Sequence, residues 1–346
     1  IIFSCLLINK KLSSYKHKYH LIFLIIILSI PALKLISGPS IKLIESINPA
    51  TQGYLGGMGL PIIFSWFIGG LLSAGVAFVI GKICLGLRSD YLAISTLLIS
   101  GIVISVIKHE EWLSRGVKNV IGLKRPAPFE VNLQKSEWFM TLIDKIYFWA
   151  PTTKDIIISS SGIFVKLCFT IIFSITLLTL LYLSERAVNS PWGRMMRAIR
   201  DNETSAKAMG KNIVKQQLNI FMIGSAIIGF AGAMLVTYDG LFTPSSYQPL
   251  RYTFLIWVMV LLGGSGNNYG SILGAFVVWF IWIESAPIAL FIINFCTFFL
   301  EYNNPIKLHL IESVPYFRYL MMGVGLLLVM RYKPEGLLPE KKISFK

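Results

Sequence analysis

The sequence predicts an all-α, polytopic membrane protein with about eight membrane-crossing helices, plus the tail of one more at its start. Three observations carry this. Of 346 residues, 55% are hydrophobic and only 14% charged, whereas soluble domains carry about a quarter charged residues. Mean hydropathy is +0.67. The apolar residues also gather in runs near the ~20 needed to cross lipid. A net charge of +15 is dispersed among those runs instead of being gathered on one domain. That pattern fits basic loops beside membrane spans and argues against nucleic acid as a partner.

The chain begins at Ile1, and IIFSCLLI (1–8) reads as the end of a span already under way, so an N-terminal segment is expected to be missing. The next runs are 21–37, 60–80, 91–107, 160–183, 217–238, 270–293 and 316–330. YTFLIWVMVLL (252–262) is shorter and reads as a tilted span, a broken helix or a re-entrant segment. The whole of 1–346 is taken as one transmembrane domain. Cys5, Cys84, Cys168 and Cys296 are far apart, with no CxxC or Cys/His cluster, which excludes a disulfide framework or zinc site of familiar spacing.

Lysine and arginine orient the spans. Loops 9–20, 81–90, 184–216 and 331–346 hold 18 of them, and the opposite loops 38–59, 108–159, 239–251 and 294–315 hold 11. Eight of those 11 sit in the long 108–159 loop beside six acidic residues. The first set, with the C-terminal tail, is therefore placed in the cytoplasm and 108–159 outside it.

Between two apolar runs lies SPWGRMMRAIRDNETSAKAMG (190–210). Ser190 and Pro191 open a helix, since a hydroxyl can cap and proline suits the first turn. Asp201-Asn202 offers a second N-cap with Glu203 in the positive first turn, and Gly210 supplies a stop. Asn202, Ala206 and Met209 fall on one face, a small strip able to enter a groove, with Arg194, Arg197, Arg200 and Lys207 at its rim. Spacing alone favours an interfacial helix whose arginines meet anionic membrane lipid.

GRMMRAIRDNETSAKAMGKN resembles the cytoplasmic signature, a variant of the EAA loop, of permease subunits in ABC importers. More narrowly it is similar to the permease of branched-chain amino acid importers, the LivM type. LRSDYLAISTL (87–97), WLSRGVKNV (112–120), VMVLLGGSGNNYGSILGA (258–275) and RYLMMGVGLLLVMRYKPEGLL (318–338) resemble that family in the same order. The likeness runs from about residue 60 onward. GYLGGMG (53–59) only faintly echoes the family's early glycine-rich segment, and the 108–159 loop is individual. Thr204-Ser205-Ala206 departs mildly from small apolar residues.

The resemblance implies that cytoplasmic helices sit in clefts on two ATP-binding subunits, whose closure switches the side the pathway faces. Glu203, Ala206, Met209 and Gly210 would then belong to the coupling loop, and Arg194, Arg197 and Arg200 to its approach. It implies a second related permease subunit and an extracytoplasmic solute-binding protein as further partners. The implied location is the bacterial plasma (inner) membrane. ATP and Mg are expected on the partner ATPases and no cofactor on this chain, which is read as a transporter subunit and not an enzyme.

Gly263, Gly264, Gly266, Gly270 and Gly274 invite comparison with a phosphate loop, but no Lys-Ser or Lys-Thr follows and no strand precedes them. No Walker-type loop occurs elsewhere. Close helix packing is favoured over substrate contact for these glycines, as for Ser225, Gly229 and Ala233. Glu284 is an ionisable group in an apolar run, a functional candidate unless Pro287 breaks the helix beside water. Arg88 and Asp90 fit topology and capping. His109-Glu110-Glu111-Trp112 lacks a second histidine for zinc. Ser95, Thr96, Ser100 and Ser105 either line a path or support helix contacts.

Two other classes compete. A secondary transporter needs charged or broken-helix coupling sites at mid-membrane, for which Glu284 and 252–262 speak. An integral membrane enzyme needs paired acidic or His/Asp groups at a membrane edge, and no convincing set is present. Which amino acid, amide or urea is carried is not legible in these residues.

Overall fold

The computed structural model describes residues 60–110, 120–148, 153–299 and 304–340. The stub 1–8, the run 21–37, GYLGGMG and nearly all of WLSRGVKNV lie outside the described residues. Among the described residues, six helices are long and apolar enough to cross a membrane: α1 (Ile62–Cys84), α2 (Ser89–His109), α5 (Lys154–Asn189), α8 (Ile213–Asp239), α10 (Asn268–Cys296) and α12 (Val314–Tyr332). A shorter apolar helix, α9 (Pro249–Gly263), covers the ambiguous run. At 1.5 Å per residue it is roughly 22 Å long, short of a ~30 Å hydrocarbon core. Each expected span among the described residues is thus a helix.

The chain divides into two compact units, which are described separately. The first holds the described residues up to Leu178 together with 193–247. Its backbone is the pairing of α1 with α8. Small residues let these helices touch: a Cβ on Gly70 would stand 2.9 Å from the Ala226 carbonyl, and one on Gly229 would run into Ser73. Ser73 Oγ donates to the Ser225 carbonyl at 2.8 Å, and the Phe230 ring meets Trp66 and Phe67 edge-on. In lipid, where apolar surface gains nothing by leaving the solvent, such close packing and cross-helix bonding hold helices together. The small-residue pattern Ser225/Gly229/Ala233 is therefore a packing face, and α1 is its partner.

The described residues of 108–159 are more organised than a loop. Val120–Ile121 (β1) pairs antiparallel with Leu241–Phe242 (β2), the one β ladder among the described residues. Helices α3 (Glu130–Gln134) and α4 (Glu137–Ile146) pack Leu133, Phe139 and Ile143 with Ala127 against Val165 and Phe169 of α5. The bond from Gln134 Nε2 to the fully buried Ser161 hydroxyl, 2.9 Å, fastens α3 to that helix. Arg125 lies along Gly240, whose φ of +68° ends α8, and pairs with Glu130 at 3.4 Å.

The second unit holds residues 179–192 and the described residues from 248 onward. Here α9, α10 and α12 enclose Leu255, Val258, Leu262, Val278, Trp282 and Met322. Pro305–Glu312 forms a short helix, α11, before α12. Pro287 lies inside α10, which continues to Cys296. The alternative of a helix break there is corrected: helix–helix contact carries α10 past the missing N–H, as membrane helices allow.

Candidate coupling loop and glycine turn

The segment 190–210 folds as two helices, α6 (Pro191–Asp201) and α7 (Glu203–Ala208). Asn202 separates them in an extended conformation, its Oδ1 accepting from the Ser205 N–H at 3.0 Å. That is an N-cap, and Glu203 follows in the first turn where a carboxylate suits the helix dipole. The far end closes equally well. Gly210 has φ +76°, its N–H donates to Lys207 at 3.0 Å and the Lys211 N–H to Ala206 at 3.3 Å. These are the two bonds of a Schellman stop, which needs a left-handed residue at that position. Asn212 then caps α8 through the Lys215 N–H.

One part of the sequence reading changes. Ala206 is 8% exposed and packs with Ile199 and Ile213, with Met195 and Met196 alongside. The strip Asn202/Ala206/Met209 therefore does not form one open face: Ala206 turns inward and Met209, 80% exposed, turns outward. Spacing on a six-residue helix could not reveal which side its neighbours α6 and α8 would cover. Arg194 and Arg200 are exposed and Arg197 is half-buried. Arg200 Nε meets Asp201 at 3.2 Å, an exposed pair worth little by itself. What the segment offers outward is Glu203, Lys207, Met209 and an arginine-rich edge, on a core that is already folded.

The glycines of 263–274 serve two purposes. Gly263, Gly270 and Gly274 are packing glycines: a Cβ on Gly263 would strike the Gly270 carbonyl, and one on Gly274 the Met259 carbonyl. Gly264 and Gly266, at φ +120° and +93°, instead form the turn between α9 and α10. Over that turn lies the segment after α12. The N–H groups of Leu337 and Leu338 donate to the carbonyls of Leu262 and Gly263, both at 2.9 Å. Gly336, at φ +82°, sits directly against Gly264. Asn267 caps α10 through the Tyr269 N–H at 3.0 Å and reaches the Pro339 carbonyl at 3.3 Å. Sequence reading found both glycine segments without pairing them, since nothing local in either names the other.

Asn268, the first residue of α10, donates to Glu185 Oε1 at 2.9 Å. Glu185 was not singled out by sequence; its place within a long charged loop concealed it. The other candidates are quieter. Glu284 is half-buried with no hydrogen bond or ion pair among the described residues. The hydroxyls of Ser95, Thr96 and Ser100 donate to carbonyls of their own helix. No group of three potential metal ligands occurs among the described residues.

Residues 43–330 match the family model described as "Branched-chain amino acid transport system / permease component". The chain belongs to this family. It is 30% identical over 278 residues to the probable branched-chain amino acid transport permease protein LivM of Methanocaldococcus jannaschii, covering 79% of this chain and 68% of that one. Against the high-affinity branched-chain amino acid transport system permease proteins LivM of Salmonella typhimurium and Escherichia coli it is 24% identical over 282 residues. That covers 81% of this chain but only 58% of each of theirs, so the chain spans less than two thirds of these two relatives. A shorter likeness, 29% over 110 residues, links it to the xylose transport system permease protein XylH of E. coli, covering 30% of this chain and 28% of that one. No solved structure matches. As a transport permease with six apolar helices of spanning length among the described residues, the protein is a multi-pass membrane protein.

Proposed function

We propose that the chain is the membrane permease subunit of an ATP-driven importer for branched-chain or related amino acids, and that 191–210 is the segment its ATPase subunits grip. The observation that supports this most is the folding of that segment on itself. Ile199, Ala206 and Ile213 provide an internal core, both ends of α7 are capped, and Glu203 and Met209 stand clear. A loop meant only to float at a lipid surface would turn its apolar residues toward the lipid. A pre-folded pair of helices transmits a push without first paying the entropy of ordering.

In this reading two ATP-binding subunits carry ATP and Mg, a second related permease completes the pathway, and a solute-binding protein delivers substrate on the 108–159 side. The loop and the C-terminal tail face the cytoplasm across the plasma membrane. The test is co-purification with candidate ATPase subunits, native against Glu203→Lys/Met209→Asp. Both positions are exposed, so folding and insertion should persist while retention of the ATPases is lost. Unchanged retention removes this loop from the interface. If no ATPase is ever held and an ion gradient alone drives uptake, the secondary-transporter reading replaces the proposal.

A further inference from the structure

In the second unit, two arginines from different helices converge on one indole. The Arg251 guanidinium carbon, in the first turn of α9, lies 5.1 Å from the Trp282 ring centroid, and that of Arg318, early in α12, lies 5.0 Å from it. Helical register explains the convergence. Leu255 and Met322, each four residues on, pack with Trp282 in the core of this unit, so Arg251 and Arg318 are one turn beyond that core on the same faces. Tyr319 meets the indole edge-on at 5.6 Å.

Among the described residues neither guanidinium has an acidic side chain within ion-pair distance, and Arg318 Nε is buried without a hydrogen-bond partner. Glu284 is two residues past Trp282, about 200° around α10. The two cations are within roughly 10 Å of one another. Arg251 is exposed and Arg318 half-buried, so their mutual repulsion is screened in part by solvent and offset in part by the ring. A bound oxyanion satisfies both and gives Arg318 the partner it lacks, since guanidinium donors match carboxylate and phosphate geometry.

We propose that Arg251, Arg318 and Trp282 form an oxyanion site that receives the carboxylate of the transported amino acid, an inference that rests on the permease reading above. A lipid phosphate has the same chemistry. The substrate is favoured because Trp282 is only 7% exposed, whereas tryptophans that anchor a protein among headgroups keep their rings at the membrane surface.

The test uses the assembled transporter in discs of neutral phosphatidylcholine and the arginine reagent phenylglyoxal, with modification at Arg251 and Arg318 followed by peptide mass spectrometry. Leucine is expected to slow modification of both by about tenfold at ten times its Kd, and leucinamide, which lacks the carboxylate, to leave it unchanged. In parallel, Arg318→Gln should lose discrimination between leucine and leucinamide in uptake, and Arg318→Lys should recover part of it. Equal protection by leucinamide, no protection by either, or protection appearing only with added phosphatidylglycerol overturns the substrate site. Intact ATP-driven leucine uptake with unprotected arginines defeats this inference alone. A complex that carries no amino acid defeats it together with the permease reading.

Discussion

The backbone N–H of Leu338 donates to the carbonyl of Gly263 at 2.9 Å, joining the segment after the last helix to the end of α9. A helix end leaves carbonyls without intrahelical partners, and here a segment distant in sequence fills two of them. Gly264→Ala places a methyl against the Leu338 carbonyl at φ +120°, where an L side chain is also strained. We expect a loss of about 2–4 kcal/mol and faster proteolysis after residue 333, measured by thermal unfolding in detergent and by limited digestion.

The α1–α8 contact gives a paired prediction. Gly229→Ala drives a methyl into Ser73 and toward the Gly69 carbonyl, while Gly232→Ala meets nothing within 4 Å. The first should cost about 1–3 kcal/mol through overpacking. The second should be neutral or stabilising by up to about 1 kcal/mol through helix propensity. Equal melting shifts for the two would contradict the packing assigned to this face.

Within the candidate coupling loop, Asn202→Ala removes the cap on Ser205 and should cost about 1 kcal/mol locally. Global melting should barely move, because a short loop helix opens independently of the membrane core. Hydrogen exchange across 203–209 should accelerate, and on the proposed function transport per ATP should fall. A loop that exchanges unchanged would show that the cap does not hold it.

Ala206 and Met209 should respond oppositely. Ala206→Trp overfills the pocket made with Ile199 and Ile213 and should disturb the fold of the loop, with faster exchange there. Met209→Trp adds bulk to an exposed position and should leave exchange unchanged while weakening ATPase retention. The comparison separates a misfolded loop from a blocked interface.

Asn268→Leu deprives Glu185 of a donor in a half-buried setting. Bonds to charged groups contribute about 1.5–3 kcal/mol, and the carboxylate also lies at the start of α10, where the helix dipole favours it. Glu185→Gln keeps an acceptor and should cost less than half as much. Chemical denaturation of the two single variants and the double one reads the coupling directly.

The membrane helices were legible because long apolar runs report themselves: all the described spans are where hydropathy placed them. The caps of α7 were legible too, since Asn202 and Gly210 act within a few residues of their own position. Partnership was not. Ser225, Gly229 and Ala233 announce a packing face without naming α1, and Gly264, read as a packing glycine, is a turn residue that touches Gly336. The inward side of Ala206 depends on Ile199 and Ile213, which are on other helices. The small core around Phe139 and Phe169 was hidden because α3 is too short to show a period and nothing in α4 names α5 as the partner of its apolar face.

The bonds from Leu337 and Leu338 to the end of α9 also bear on how the protein is made. A chain threaded into the membrane in order from its N-terminus lays down α9, its glycine turn, α10 and α12 before the residues that close over the turn have left the ribosome. Until then the carbonyls of Leu262 and Gly263 have only water or an insertion factor to satisfy them. Closure of the turn therefore dates the completion of this unit, and a nascent chain stopped short of residue 337 is expected to present an open, protease-sensitive bend that a quality-control system can tell from the finished one.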